Sequence, residues 1–362
     1  TMWWEGIDGT RILTHFPPVN CYDSELSAEE YLRAVDNYAE KGLATHQVIP
    51  FGYGDGGGGP TAEMVERARR LDDLEGAPRM RMGDPDSFFE AARAEYGKDA
   101  PVHVGELYLE FHRGIFTSQL EMKQGNRRSE HALREAEFLW TLALLAGVPR
   151  DRFPAADLER LWQMVLLNQF HDILPGTCIG WVYQRTEAEY TDVARSLERV
   201  IARAASALTG PGDAPLVLNA APAESRGVPS LAIGPAAAPG EPVVPTEADG
   251  GIILDNGLLR VTINASGLIT SLIDLEADRE VLTPGTAAGL LQLHPDAPRQ
   301  WDAWDIDPEY RNTVEDVTDV QDLAVVARGP QEPDAVVRVT RRAGRDSTLS
   351  EEIRLSPGSK QV

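Results

Sequence analysis

A multidomain fold, α/β followed by α followed by β, is what this sequence predicts, and three observations predict it. Residues 1 to about 115 alternate short apolar strands with capped helices. Residues 116 to about 208 carry three apolar stripes at helical spacing. Residues 214–362 alternate apolar and polar residues with a period of two. Strand and helix in alternation argue for an α/β unit, consecutive amphipathic helices for a bundle, and period-two strands with short turns for an antiparallel sandwich.

In the first zone, "SAEEYLRAVDNYAEKG" (27–42) reads as a helix, with Ser27 as N-cap, Glu30 at the capping-box position and Gly42 past the end. "PTAEMVERARRLDDLEG" (60–76) reads as another, capped by Thr61. "ATHQVIPFGYG" (44–54) is expected to be a buried strand running into a loop, and "PVHVGELYLEF" (101–111) alternates like a strand.

In the second zone, Ala132, Ala136, Leu139, Ala143 and Ala146 trace one helix face. Leu158, Leu161, Trp162, Val165 and Leu166 trace a second after Pro154, and Tyr190, Val193, Ala194, Leu197, Ile201, Ala204 and Leu208 a third. "TGPGDAP" (209–215) ends the helical zone. In the third, Leu259, Val261 and Ile263 alternate with Arg260, Thr262 and Asn264 before Ser266-Gly267 turns the chain. "DAVVRVTRR" (334–342) repeats the pattern, and the Pro- and Ala-rich stretch 235–245 reads as a surface loop.

Composition narrows the function. A net charge of −23 argues against nucleic acid or an anionic membrane surface as partner, since both demand clustered Lys and Arg. No apolar run approaches the roughly 18 residues of a membrane span. Cys21 and Cys178, the only cysteines, form neither a disulfide framework nor a Cys-x-x-Cys metal pattern, so a reducing compartment is expected.

Four stretches carry chemistry. "NQFHDILPGT" (168–177) ends an apolar helix in the adjacent pair His171-Asp172. A neutral imidazole is a common zinc ligand and a carboxylate beside it can take sugar hydroxyls; the competing reading is a helix-terminal His with Asp172 capping the next turn. "FGYGDGGGGPT" (51–61) places Asp55 in a glycine loop at a predicted strand end, where α/β enzymes put active groups. It lacks the Lys-Ser/Thr of a phosphate loop. In a dry pocket Asp55 would serve as a proton donor; a solvated turn is the rival. "ELYLEFHRGIFTSQ" (106–119) interleaves aromatic and charged residues, with His112 and Arg113 expected to be structural. "RQWDAWDIDPEYRN" (299–312) mixes Trp, Asp and Tyr, a combination that stacks on sugar faces and binds sugar hydroxyls, unless it is a polar loop pinned by buried Trp.

Together "WWEGIDGTRILTHFPP", "GYGDGGGGPT", "GELYLEFHRGIFTSQ", "NQFHDILPGT" and "WDAWDIDPEY" resemble the α-mannosidases of glycoside hydrolase family 38, in particular the bacterial and cytosolic-type branch. The resemblance implies that residues 1–115 are the C-terminal part of an α/β barrel-like catalytic domain. Residues 116–210 would be a three-helix bundle and 211–362 the start of a β-sandwich. It implies a retaining, exo-acting enzyme that removes terminal α-linked mannose from oligosaccharides or glycans, with one divalent ion, usually zinc, on the floor of the sugar subsite. Carried over residue by residue, His171 is the metal ligand, Asp172 contacts the bound mannose and Asp55 is the acid/base. Asp8, Trp301, Asp302 and Tyr310 are implied pocket residues. A cytoplasmic location goes with it, and self-association into a homo-oligomer stays open.

One departure matters. The family's remaining metal ligands and its nucleophile lie N-terminal to "WWEGIDG", in a His-x-Asp block and at an Asp. Here that spacing occurs as His294-Pro295-Asp296, in the β-rich zone, where it does not fit. A retaining glycosidase needs two carboxyl groups flanking the bond. Residues 1–362 are therefore expected to be a central fragment of the enzyme, inactive alone and a poor metal binder. The alternative is a non-catalytic carbohydrate-binding or scaffold protein derived from that family.

Overall fold

The computed structural model describes residues 1–235, 237, 240–327 and 333–362, and the chain divides into two compact units, Thr1–Leu109 and Glu110–Val362. Its class is mixed α/β, with helices and several antiparallel sheets.

In the first unit, β1 (Met2–Glu5) pairs antiparallel with β2 (Arg11–Thr14) and parallel with β3 (Val102–Val104). A parallel partner demands a crossover. Here the crossover carries α1 (Ala28–Asn37), α2 (Ala62–Leu71) and α3 (Pro85–Tyr96). The capping box of α1 forms as its spacing predicts: Glu30 N donates to Ser27 Oγ at 3.2 Å, and Ser27 N to the Glu30 carboxylate at 2.9 Å. Such a cap contributes about 1 kcal/mol. The helix stops at Asn37, earlier than Gly42, which instead lies inside the turn that Glu40 O closes with Leu43 N and Ala44 N. Thr61 caps α2 through Met64 N.

Two expectations fail in this unit. Residues 44–54 do not form a strand: Ser24 N bonds to Pro50 O and Gly52 N to Ser24 O, giving one isolated bridge at Phe51. Pro50 has no N–H to extend the ladder. Residues 101–111 are strand only over β3, and a short 3-10 turn occupies Leu109–Phe111. Helix α3 was not expected, although Asp84 caps it through Ser87 N at 2.9 Å and Pro85 fills its first turn. It buries Ala92 and Tyr96 against Leu13 of the sheet.

In the second unit, α4 (Leu120–Leu145), α5 (Ala155–Asn168) and α6 (Gly180–Thr209) surround one core. Most of the three predicted stripes are inside: Leu139, Leu161 and Val193 are fully buried. Ala146, Leu166 and Ala194 are exposed, the first because α4 has already ended. Trp140 adds a polar tie, its indole N–H donating to Val200 O at 3.0 Å.

The chain then forms the ribbon β4 (Leu216–Asn219) with β5 (Ala232–Pro235). A five-stranded antiparallel sheet follows, in order β10 (Arg279–Glu280), β9 (Ile269–Asp274), β8 (Leu259–Ile263), β7 (Gly251–Asp255) and β6 (Thr246–Ala248). Next come the pair β11 (Gln292–Leu293) and β12 (Glu315–Asp316), and the three-stranded β13 (Val320–Ala327), β14 (Ala335–Ala343) and β15 (Ser347–Leu355). Inward residues of β7 and β8, among them Leu254, Val261 and Ile263, share a core with Val337 and Val339 of β14 and Leu355 of β15. The predicted alternation in β8 and β14 is what buries them. Arg341 breaks the pattern: it is buried, paired to Glu351 at 2.6 Å and donating to Gly267 O at 2.7 Å. Of the expected 235–245 loop, residues 236, 238 and 239 lie outside the described residues. Among the described residues no helix is long and apolar enough to cross a membrane.

Candidate active site

In the first unit, Asp55 rides a loop closed by its own backbone. Tyr53 N donates to Gly59 O and Gly59 N to Tyr53 O, both at 2.9 Å, and Gly57 N to Gly54 O at 2.7 Å. Asp55 has φ 50 and is exposed, which agrees with the solvated turn rather than the dry pocket of its two sequence readings. Its close partner is Tyr22, whose hydroxyl donates to Asp55 Oδ1 at 2.5 Å. That bond to a carboxylate is the main reason the Tyr22 phenol is pushed up from its ordinary value. The approach needs glycine at 54, because a Cβ there would collide with the Tyr22 ring. Asp8 lies apart, in the β1–β2 turn, accepting from Thr10 N at 2.9 Å and Thr10 Oγ1 at 3.1 Å. The Thr10 N–H holds its carboxyl below the usual range. The geometry of Asp8 is that of a turn-forming residue.

In the second unit, α5 ends at Asn168 and the chain makes a compact turn through Gly176. Leu174 N bonds to Phe170 O, Gly176 N to Ile173 O and Thr177 N to Asp172 O. The side chain of His171 is 77% exposed, its ring tilted on Phe170 with centroids 4.1 Å apart. It is not walled in by aliphatic residues. Its Nε2 stands 3.7 Å from Asp172 Oδ2, while Asp172 Oδ1 accepts from Thr177 Oγ1 at 2.7 Å. One Asp172 oxygen thus closes the turn and the other faces the imidazole.

The turn is fastened to α4 on both flanks. Before His171, Gln169 Nε2 donates to Asn126 Oδ1 at 2.9 Å and Glu130 Oε1 at 3.1 Å, and buried Asn168 donates to Glu189 of α6 at 3.0 Å. After Asp172, Lys123 Nζ donates to Ser118 O, Leu174 O and Pro175 O at 2.6, 2.8 and 3.1 Å. Gly176, at φ 95, lies so near Ser118 that an added Cβ would stand 2.6 Å from its carbonyl oxygen.

The 301–312 loop meets the same region. Gly114 N donates to Trp304 O at 2.9 Å and Ser118 Oγ to Ala303 O at 3.1 Å. Arg113 reaches Asp305 Oδ1 and Ile306 O at 3.5 Å, and the His112 and Trp304 rings meet edge to face at 5.3 Å. The structural roles expected for His112 and Arg113 agree with these contacts. Trp301 (φ 61) and Asp302 are exposed. Tyr310 lines a shallow depression of about 200 Å³ with Asp296, Arg299, Asp307, Glu309 and Thr313; Trp301 and Asp302 do not line it. Three motifs thus converge near Ser118, within one unit. Sequence reasoning missed Lys123 and Tyr22. A cation in the first turn of a helix, against the macrodipole, was the available signal for Lys123; Tyr22 had none.

Among the described residues no group of three or more His, Cys, Asp or Glu could hold a metal ion. One imidazole and a carboxylate half engaged by Thr177 do not complete a four-coordinate zinc site.

Three family models match the chain in order. Residues 1–106 match the glycosyl hydrolases family 38 N-terminal domain, 110–208 the alpha mannosidase middle domain, and 254–362 the glycosyl hydrolases family 38 C-terminal domain. The chain is 37% identical over 335 residues to Alpha-mannosidase 2C1 of Homo sapiens, covering 84% of this chain and 32% of that protein. It is 32% identical over 318 residues to Alpha-mannosidase of Saccharomyces cerevisiae, covering 83% of this chain and 29% of that protein. It therefore spans about a third of the length of the curated relatives it matches. The crystal structure of an alpha-mannosidase from Enterococcus faecalis V583 superposes with a TM-score of 0.61 at 13% identity, covering 94% of this chain and 49% of that one. At that identity the likeness is one of fold.

Proposed function

This chain belongs to glycoside hydrolase family 38, and from that premise we propose that it is part of a retaining, exo-acting α-mannosidase removing terminal α-linked mannose from oligosaccharides or glycans. The ordered match to the three family models carries the reading. The finer architecture goes with it: the end of an α/β barrel-like domain over 1–115, a three-helix bundle over 116–210 and the start of a β-sandwich over 211–362. We place it in the cytoplasm, where the unpaired Cys21 and Cys178 would stay reduced.

Each residue has a stated task in this reading. Asp55 protonates the leaving glycosidic oxygen and then takes the proton of the incoming water, as the acid/base partner of a nucleophilic carboxylate. The Tyr22 hydroxyl, bonded to Asp55 Oδ1, orients that carboxyl and leaves its second oxygen for the substrate. Asp172 Oδ2 accepts from mannose hydroxyls, its other oxygen being held by Thr177. Tyr310, Trp301, Asp302 and Asp8 are assigned to substrate binding. A zinc ion would take His171 as one ligand and polarise sugar hydroxyls; the described residues do not complete its ligand set, so no step is routed through it.

The test is hydrolysis of a panel of aryl glycosides by the full-length polypeptide, with the first-formed anomer read by NMR. Turnover of the α-mannoside with α-mannose released first supports the reading. Turnover confined to another glycoside, or release of β-mannose, ends it. Residues 1–362 in isolation should show no turnover above background.

A further inference from the structure

We propose that Lys123 is a positioning residue for the His171–Asp172 turn. Its ammonium, on the carbonyls of Ser118, Leu174 and Pro175, and the Gln169 amide, on Asn126 and Glu130, grip the turn from both sides so that imidazole and carboxylate are presented in one arrangement. The proposal deepens the functional reading above and rests on it for the word positioning; the mechanical part stands on geometry alone.

Lys123, Asn126 and Glu130 follow each other at three and four residues, so they line one face of α4. Their partners bracket His171 and Asp172 in the chain: Gln169 lies just before the pair, Leu174 and Pro175 just after. Between the two fastenings the His171 ring is left open to solvent. An ammonium has three N–H groups and this one has three carbonyl acceptors, so its donors are matched in number.

Lysine is a costly residue to keep here. It sits in the first turn of α4, where a cation opposes the helix dipole. It is half-buried, and burial pushes its pKa down. A methionine or leucine would avoid both costs and still pack. What neither could do is bridge the start of α4 to the turn beyond Asp172. Gly176 supports the same picture from the other strand of the contact, because only a residue without a Cβ lets the turn sit against Ser118.

The experiment is amide hydrogen exchange in the full-length protein, with kcat and KM on an aryl α-mannoside measured alongside. In the parent, the amides of Ile173, Leu174, Gly176 and Thr177, each bonded within the turn, should exchange as slowly as those at the end of α5. Exchange at the rate of an unstructured segment in the parent overturns the proposal without any variant. In Lys123→Met these four amides should exchange about tenfold faster or more, while the α4–α6 core keeps its protection. The value of kcat/KM should fall about tenfold or more, the usual scale for removing a group that orients a site residue. A merely structural lysine would instead loosen the three helices together and leave kcat/KM unchanged per folded molecule. Parent-like exchange and parent-like kcat/KM in a folded Lys123→Met also overturn the proposal. If the parent cleaves no mannoside, the functional reading fails, and the exchange data alone decide whether Lys123 fixes the turn.

Discussion

Two turns carry the groups read as chemical, and they differ in what holds them. The Asp55 loop closes on itself: backbone bonds between Tyr53 and Gly59 shape it, and Tyr22, whose side chain bonds Asp55, is itself exposed. The His171–Asp172 turn has backbone bonds of its own as well, and in addition it is fastened from outside, by Lys123, Asn126 and Glu130 of one helix and Glu189 of another. Local hydrogen bonds are cheap to read from sequence and easy to perturb singly. A turn held by distant side chains is invisible in local sequence and fails as a set.

The largest expected effect sets chemistry apart from scaffold. In the full-length enzyme, Asp55→Asn should lower kcat by about 100-fold or more, the range for losing a general acid/base, with the unfolding transition unmoved. Parent-like turnover in that variant removes Asp55 from its role. Next, one substitution made in both turns should give unequal results. Gly176→Ala should cost about 3 kcal/mol, combining a positive φ with a clash against the Ser118 backbone. Gly54→Ala meets the Tyr22 ring first, an exposed side chain that can swing aside, and should cost under about 1 kcal/mol. Equal shifts in urea denaturation would erase the distinction.

Acid should act on the first unit in a smaller way. The Glu95 carboxyl is held down to about 2 from an ordinary 4.5, first by the His46 side chain and then by Thr45. Because the folded value is the lower one, this pair stabilises fully above pH 4.5 and the contribution is lost as pH falls toward 2. Glu95→Gln should flatten the pH dependence of melting in that window and leave it alone near neutrality. The smallest effect is spectroscopic. In Asp55→Asn the Tyr22 phenol should titrate closer to 10, because the bond to a carboxylate that raises it is gone; ultraviolet absorbance at high pH reads this directly.

Much of the scaffold was legible because its determinants are close in the chain. The Ser27–Glu30 box, the stripes of the three long helices and the β8–β9 hairpin each depend on spacings of a few residues. Helix α3 carried readable marks, Asp84 and Pro85, in a stretch dominated by polar residues. The strand expected over 44–54 failed on a single imino residue, Pro50. Of the candidate site, the contrast between an apolar helix and the His171-Asp172 pair was visible, and so was the glycine loop around Asp55. Of the two readings of Asp55 the structure favours the solvated turn, and Lys123 offered only its place in the first turn of a helix as a signal, since two of its acceptors lie 51 and 52 residues away.

The tie between Ser118 and Ala303 spans 185 positions, and during synthesis on a ribosome that span is a delay. At roughly 5–20 residues per second, the start of the long helices emerges about 10 to 40 s before the loop that covers it. For that interval Gly114 and Ser118 can only bond to water or to something else. A nascent chain arrested between these two points would therefore carry the helices without the tie that later joins them to the loop.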